Sequence, residues 1–492
     1  MNTKALRQKV LDLAIHGKLV PQNPNDESAT LLLEKIRAEK TEKIKKGELK
    51  ADKKDSFIFI GSDKRHYEQF ADGTLKDIED EIPFDVPEGW CWCRLTNVAI
   101  TELGKTLDAK KNKGKLYDYL CALNVKWYSF DFTTLKQIRL EEKEKERYLV
   151  RKGDLLICEG GDVGRAAIWE SENPIYYQNA LHRVRFYQNI NQYFFLHVLN
   201  YYKNLGIIDD VSGGVTIKHF TQNSMQKLLF PLPPLAEQER IASSIDNIFT
   251  QIGMVDQYKS ELQTVLRQTK SKILDLAIHG KLVPQNPDDE PAEELLKRIA
   301  TSDNRPYKKF EDEAPFTIPK SWSWCTLGEI CKITSGNTLP KEEEKLKGQY
   351  IYIKVGDMNL PENSKEITTS KTFIDNIKYE KQLIEKHSIV FPKRGGALLT
   401  NKKRLVIKSP ILMDLNLMAL TPIIKDVLPY IFNWFSLIDL GSINNGSNIP
   451  QINNKDINPL LIPLPPLAEQ HRIVSKIEEL FSYLDTIASN LE

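Results

Sequence analysis

Between Lys386 and Lys408 the chain carries seven cations (Lys386, Lys393, Arg394, Lys402, Lys403, Arg404 and Lys408) and no acidic residue. Uncompensated cations at that density suit a phosphate backbone, and Arg, Lys and Asn are residue types that read base edges in the major groove. Arg394 leads into a Gly395-Gly396 turn, and Asn401 opens the run Asn401-Lys402-Lys403-Arg404. The competing reading is a solvated loop. A second candidate is Glu159-Gly160-Gly161-Asp162-Val163-Gly164-Arg165, where Gly161 could bring backbone close to a ligand and Arg165 could add a charge. A tight hairpin turn is the alternative, and the order departs from G-x-G-x-x-G, so no dinucleotide site is expected. Lys218 and His219, matched 232 positions on by Pro450 and Gln451, lie in polar loops after Gly213-Gly214 and Gly446-Ser447-Asn448.

Catalytic signatures do not accompany these patches. The chain has no phosphate-loop motif, no H-E-x-x-H and no G-x-S-x-G nucleophile elbow. Leu232-Pro233-Pro234-Leu235 lacks the polar lead and aromatic end of an amino-methyltransferase tetrapeptide. The six cysteines form no C-x-x-C pair, so reduced, buried thiols are expected, with no metal site. His16 and His279 each fall in the last turn of an expected helix, where a cation favours the helix dipole. No self-contained catalytic apparatus and no cofactor are therefore expected in this chain.

The elements that must position these residues are written twice. Val10–Pro24 reads VLDLAIHGKLVPQNP and recurs as ILDLAIHGKLVPQNP 263 positions on, at Ile273–Pro287. Pro231–Arg240 (PLPPLAEQER) recurs at Pro463–Arg472 (PLPPLAEQHR), 232 positions on, and the Trp90-Cys91-Trp92 segment recurs at the same distance as Trp322-Ser323-Trp324. The alternating tryptophans read as strands with core-facing side chains. Two copies imply a duplicated molecule with pseudo-twofold symmetry.

From Ile241 onward Ile245, Ile248, Ile252, Val255, Leu262, Leu266, Ile273 and Leu276 fall at four- and three-residue spacings, with Lys259 and Thr269 as the polar exceptions. Heptads sustained this long argue for a coiled coil. The rod starts after Pro233-Pro234 and ends at Gly280, with Pro284 forbidding extension. At 1.5 Å per residue it is about 65 Å long. Its second copy is split: Leu467–Glu492 repeats the first half through Ile473, Ile477, Leu480, Leu484, Ile487 and Leu491, while the residues before Gly17 repeat the second half. The two chain ends are expected to lie end to end, antiparallel to the central helix.

Short apolar runs at 154–158, 166–169, 350–353 and 405–407 read as strands. The fold class expected is mixed α/β: two α/β blocks separated by long antiparallel coiled-coil helices in a pseudo-twofold circular arrangement. The expected boundaries are an N-terminal helix (1–24), a charged linker (25–82), a first block (83–234), the central helix (235–290), a second linker (291–314), a second block (315–466) and a C-terminal helix (467–492). Segment 25–82 reads as a helix running into a solvated, partly disordered stretch.

A chain of 492 residues with 41% hydrophobic and 27% charged residues is ordinary for a soluble protein of about three domains. No apolar run approaches the ~18 residues of a membrane span and no signal-peptide core opens the sequence, so a cytoplasmic location is expected. A formal net charge of +1 does not by itself mark a nucleic-acid binder.

Paired PLPPLAEQ segments leading into heptads, paired LDLAIHGKLVPQ ends and two blocks opened by P-x-x-W-x-W together resemble the DNA specificity subunit of type I restriction-modification systems. The resemblance implies that each block is a target recognition domain reading one half of an asymmetric bipartite DNA sequence. It implies that the helices set the spacing and dock two modification (methyltransferase) subunits, and that restriction subunits join to cleave. S-adenosylmethionine, ATP and Mg would belong to those partners. On this reading the double-stranded DNA contacts come from Lys393, Arg394, Asn401, Lys402, Lys403, Arg404, Gln451, Gly161, Arg165, Lys218 and His219. Partner docking falls to the helices carrying Ile241, Ile245, Ile248, Ile252, Val255, Leu262, Leu266, Ile473, Ile477, Leu480 and Leu484. A modification-only system, or a coiled-coil scaffold with two protein-binding blocks, are the other readings.

Overall fold

The computed structural model describes residues 2–49, 55–108, 110, 112–214, 218–375, 377–443 and 450–491. The Gly446-Ser447-Asn448 loop lies outside the described residues, as do 50–54 of the charged segment. Two compact units, Met1–Tyr258 and Lys259–Glu492, divide the chain inside its long helix. Each unit therefore keeps half of that helix with its own α/β block, where the sequence alone set 235–290 apart.

In unit 1, α1 (Thr3–Ile15) and α2 (Ala29–Lys45) precede three strands, β1 (Ser56–Ile60), β2 (His66–Phe70) and β3 (Leu75–Asp77). The charged segment thus holds an antiparallel β1-β2-β3 sheet where a solvated linker was expected. Its strand formers, Phe57-Ile58-Phe59-Ile60, and the Asp72-Gly73 turn (Gly73 φ +88°) sit inside a segment whose charge masks them.

The α/β block follows: β4 (Cys91–Arg94), β5 (Ala99–Leu103), β6 (Leu155–Cys158), β7 (Ala166–Ile168), β8 (Leu181–Phe186), α3 (Gln192–Asn204) and β9 (Leu229–Leu232). Strands β7-β6-β8-β5 form an antiparallel sheet in that order. A second sheet joins Leu149–Val150, Ile175–Tyr177, Lys115–Leu120 and Lys136–Leu140. Strand β9 pairs with β4, so Trp92 faces Pro231.

The long helix α4 (Leu235–Ile278) carries residues of both units. Unit 2 continues with α5 (Ala292–Ser302), β10 (Ser323–Thr326), β11 (Cys331–Ser335), β12 (Ser388–Pro392), β13 (Arg404–Val406), β14 (Leu417–Pro422), α6 (Leu428–Leu437), β15 (Leu461–Leu464) and α7 (Leu467–Ser489). Its main sheet runs β11-β14-β12-β13, the counterpart of β5-β8-β6-β7, and β10 pairs with β15 so that Trp324 faces Pro463. The second expected linker contains α5, which repeats α2: Leu295, Leu296 and Ile299 are buried as Leu32, Leu33 and Ile36 are. The Ala29 N–H donates to Gly89 O at 2.8 Å, as Ala292 does to Ser321 O at 2.9 Å.

Helix ends follow their local signals. Gly280 N–H donates to Ala277 O and Lys281 N–H to Leu276 O, with Gly280 at φ +65°, a Schellman closure. Gly17 (φ +63°) closes α1 through the same two bonds. His16 Nδ1 lies 2.7 Å from Asp12 O and His279 Nδ1 2.7 Å from Asp275 O, so both histidines serve their helix ends.

Within each unit the paired helices run antiparallel. In unit 1 Arg7 of α1 reaches Asp256 at 3.3 Å while Gln22, beyond its other end, reaches Glu237 at 2.6 Å. In unit 2 Lys270 reaches Asp485 at 2.5 Å and Gln285 reaches Glu469 at 2.6 Å. The heptad seam is consumed by this packing: Ile241, Ile245, Ile252, Leu266, Ile473 and Ile477 are buried, and Ile248, Leu480 and Leu484 pack against the same cores. Partner docking is expected of the helices that carry these residues, and their seam itself is occupied by this packing. Val255 is half-buried, and of the set only Leu262 is exposed.

Candidate nucleic-acid interface

Folding separates the seven cations of unit 2. Strands β12 and β13 pair with Ser388 opposite Val406 and Val390 opposite Arg404. The hairpin therefore puts Lys386 and Lys408 at its open end and the other five cations at its turn end. At the turn, Gly395–Thr400 form a 3-10 turn closed by Asn401 in the left-handed region (φ +53°). The Asn401 side-chain oxygen accepts from Leu440 N–H at 3.0 Å and from Lys403 Nζ at 2.9 Å.

Lys403 is buried, donates also to Ile438 O at 2.6 Å and lies over the Phe435 ring at 5.0 Å. Burial pulls its ammonium down to about 8. Arg404 donates to Lys403 O (2.9 Å) and Met358 O (3.1 Å), and burial lowers its pKa. Asn401, Lys403 and Arg404, expected among the DNA contacts, each make hydrogen bonds inside the protein that tie the turn down, while Arg404 Nε is buried without a partner among the described residues.

Lys402 donates to Asn359 Oδ1 and Lys393 to Ser335 Oγ at 3.1 Å. Arg394 is exposed and makes no side-chain hydrogen bond or ion pair among the described residues. Its backbone faces Gln451 in an isolated antiparallel bridge, flanked by Gly395 N–H to Pro450 O (2.8 Å) and Ile452 N–H to Lys393 O (3.0 Å). Structure thereby joins two residues 57 positions apart that the sequence presented separately.

Unit 1 builds the same junction from different residues. Phe220 N–H donates to Glu159 O at 2.8 Å, the counterpart of Ile452 and Lys393, and brings 159–165 beside the loop holding Lys218 and His219. His219 pairs through its backbone with Gly213, and a Cβ at Gly160 would lie 3.8 Å from its ring. Gly161 is exposed at φ +77°. Arg165 is half-buried, donating to Ala122 O at 2.7 Å and lying 3.7 Å from Asp162. Lys218 is exposed and donates to Asp209 O at 2.8 Å. The four expected residues do share one place, with Arg165 tied into the turn.

His182, which carries no local sequence signal, supports that junction. Its Nε2–H donates to Phe220 O at 3.1 Å from the buried strand β8, 38 positions away. Burial lowers its pKa to about 4. Glu237 and Glu469 read in sequence only as first-turn acids, yet both are buried and hydrogen-bonded. Among the described residues no three His, Cys, Asp or Glu side chains group as a metal site. All six cysteines are free, and burial raises Cys91 to about 12 and Cys158 to about 11. No helix among the described residues is long and apolar enough to cross a membrane.

Against known proteins, residues 87–264 and 319–492 match the family model described as the type I restriction modification DNA specificity domain. Over 552 aligned residues the chain is 28% identical to the type I restriction enzyme EcoAI specificity subunit of Escherichia coli, covering 97% of this chain and 88% of that relative. The EcoEI specificity subunit of the same organism is 26% identical over 578 aligned residues, 99% of this chain and 91% of the relative. A solved structure described as the structural basis underlying complex assembly and conformational transition of the type I R-M system superposes with a TM-score of 0.56 at 18% identity. It covers 83% of this chain and 94% of that one, and shares the fold.

Proposed function

The chain belongs to the type I restriction-modification DNA specificity family, and we propose that it selects the DNA sequence on which a modification and restriction complex acts. Each α/β block reads one half of a split target. The observation that carries this is the repeated junction, Glu159 with Phe220 and Lys393 with Ile452, which seats a different set of polar side chains in each block on one backbone frame. One frame with two contents predicts an asymmetric target, with α4 setting the gap between half-sites.

Two methyltransferase subunits dock on the helical regions, with restriction subunits joining them; S-adenosylmethionine, ATP and Mg act in those partners. A repeated groove supports two like sites. In unit 1 it is lined by Asp246 and Phe249 of α4 beside Tyr193 of α3, and in unit 2 by Glu478 and Phe481 of α7 beside Phe432 of α6. These α4 and α7 positions correspond 232 apart.

A methylation map by long-read sequencing tests the reading, in a host lacking other modification that expresses this chain with its methyltransferase partner or the partner alone. The expected result is a split motif that appears only with this chain. A single uninterrupted motif would refute two separate readers, and no new methylation from a stable complex would favour a protein scaffold. Lengthening α4 by one heptad should widen the gap and leave the half-site letters alone.

A further inference from the structure

We propose that Arg394 is the base-reading side chain of unit 2 and selects a guanine at one position of that unit's half-site. This rests on the DNA-reading function above and names the residue and the base.

Of the five cations at the turn end, four are engaged by the protein itself: Lys393 on Ser335, Lys402 on Asn359, Lys403 on Ile438 and Arg404 on Met358. Among the described residues Arg394 is the one left exposed without a side-chain partner. Its seat is stiff. The two flanking bonds, Gly395 to Pro450 and Ile452 to Lys393, make Arg394 and Gln451 a non-hydrogen-bonded antiparallel pair. Directly opposed residues in such a pair project to one face, with Cβ atoms about 5 Å apart. A third bond, Lys393 N–H to Asn416 O at 2.7 Å, fixes the strand exit.

Space lies next to the seat. A Cβ built on Gly395 (φ +71°) or Gly396 would meet nothing within 4 Å, so a duplex edge can approach there. Gln451, opposed to Arg394 in the bridge, donates to Asn453 Oδ1 at 3.0 Å, which orients its amide. A planar fork on an anchored backbone matches the O6 and N7 acceptors of guanine in the major groove, a pairing worth roughly 5- to 150-fold in base discrimination. In unit 1 the corresponding junction holds Gly160 and His219, with no exposed fork. The two units are thereby set to read different letters.

The test maps methylation by the wild-type chain, Arg394→Ala, Lys402→Ala and His219→Ala, each co-expressed with the methyltransferase partner. The expected result is that Arg394→Ala relaxes one G·C position in one half-site, His219→Ala alters only the other half, and Lys402→Ala leaves all letters unchanged. A second measurement stands if Arg394→Ala complexes methylate too weakly to map. Duplexes carrying 7-deazaguanine at each guanine of the motif should lose at least fivefold affinity for the wild-type complex at one position, and Arg394→Ala should be indifferent there. Wild-type indifference to 7-deazaguanine at every position, or an unchanged motif from Arg394→Ala, overturns the assignment to Arg394 alone. A wild-type chain that directs no methylation and binds no DNA overturns the DNA-reading function and the assignment with it.

Discussion

The Trp90 indole N–H donates to Glu237 at 2.9 Å, and 232 positions on Trp322 donates to Glu469 at the same 2.9 Å. Both carboxyls are 1% exposed and take a second bond of 2.6 Å, from Gln22 or Gln285. Burial pushes both acids above the usual carboxylate range. The residue just before a block's opening strand, the first turn of its outgoing helix and the segment past its incoming helix thus meet at one carboxyl in each unit.

Removing one donor from that seat should be costly. Trp90→Phe is expected to destabilise unit 1 by about 1.5–3 kcal/mol, the range for hydrogen bonds to charged groups. Trp322→Phe should cost unit 2 the same. Hydrogen exchange of peptides from each unit separates the two losses, and a cost confined to one variant would show that the seats are not equivalent.

Arg94 anchors the extra sheet of unit 1. It reaches Glu68 at 2.7 Å and Glu81 at 2.9 Å, and Arg94 and Glu68 are both buried. The corresponding residue of unit 2, where no such sheet forms among the described residues, is Thr326. Arg94→Thr leaves Glu68 as a buried carboxylate without its partner and should cost about 3–5 kcal/mol, while pairing Arg94→Met with Glu68→Met should recover much of it. Urea unfolding measures both, and a loss below ~1 kcal/mol for Arg94→Thr would show the ion pair to be incidental.

At Gly17 a Cβ would stand 2.3 Å from Pro87 Cγ, and at Gly280 2.4 Å from Pro319 Cγ, each with positive φ. Alanine at either position should cost about 2–4 kcal/mol, combining left-handed strain with overpacking against a proline ring. Gly47 (φ +74°) has no neighbour within 4 Å, so Gly47→Ala should cost only about 1 kcal/mol. Thermal melts that rank all three alike would remove the packing half of this account.

Unit 1 holds two neutral buried histidines. Burial takes His182 to about 4 and His197 to about 3. The unfolded chain binds protons near 6.5 while the native rings do not, so their contribution is present above that pH and is lost as pH falls towards 4. Glu237 and Glu469, shifted upward, act in the opposite sense. His182→Gln should flatten the loss of stability between pH 7 and pH 5, an effect on the order of 1–2 kcal/mol over that interval. Identical pH slopes for variant and wild type would exclude His182 as a source of acid lability.

Much of the architecture is readable from the residues because its causes are local. Heptad spacing made α4 and α7, Gly17 and Gly280 closed helices through bonds to residues a turn away, and the two offsets announced two blocks of one design. Local charge also misled: Phe57–Ile60 form a strand inside a segment that reads as solvated linker, and one of that segment's acids, Glu68, is paired from outside it by Arg94.

The interface depended on contacts that no spacing encodes. Seven cations without a counter-charge are visible in the sequence, but which of them remain available is set by Asn359, Ser335, Ile438 and Met358, each at least 35 positions away. The same holds for the heptad seam, whose apolar side chains are of the right type for a partner yet are buried by the chain's own helices. Residue type and spacing determined what each segment can do; tertiary structure decided which groups were left to do it, because a polar or apolar group satisfied inside the fold is no longer offered to a ligand.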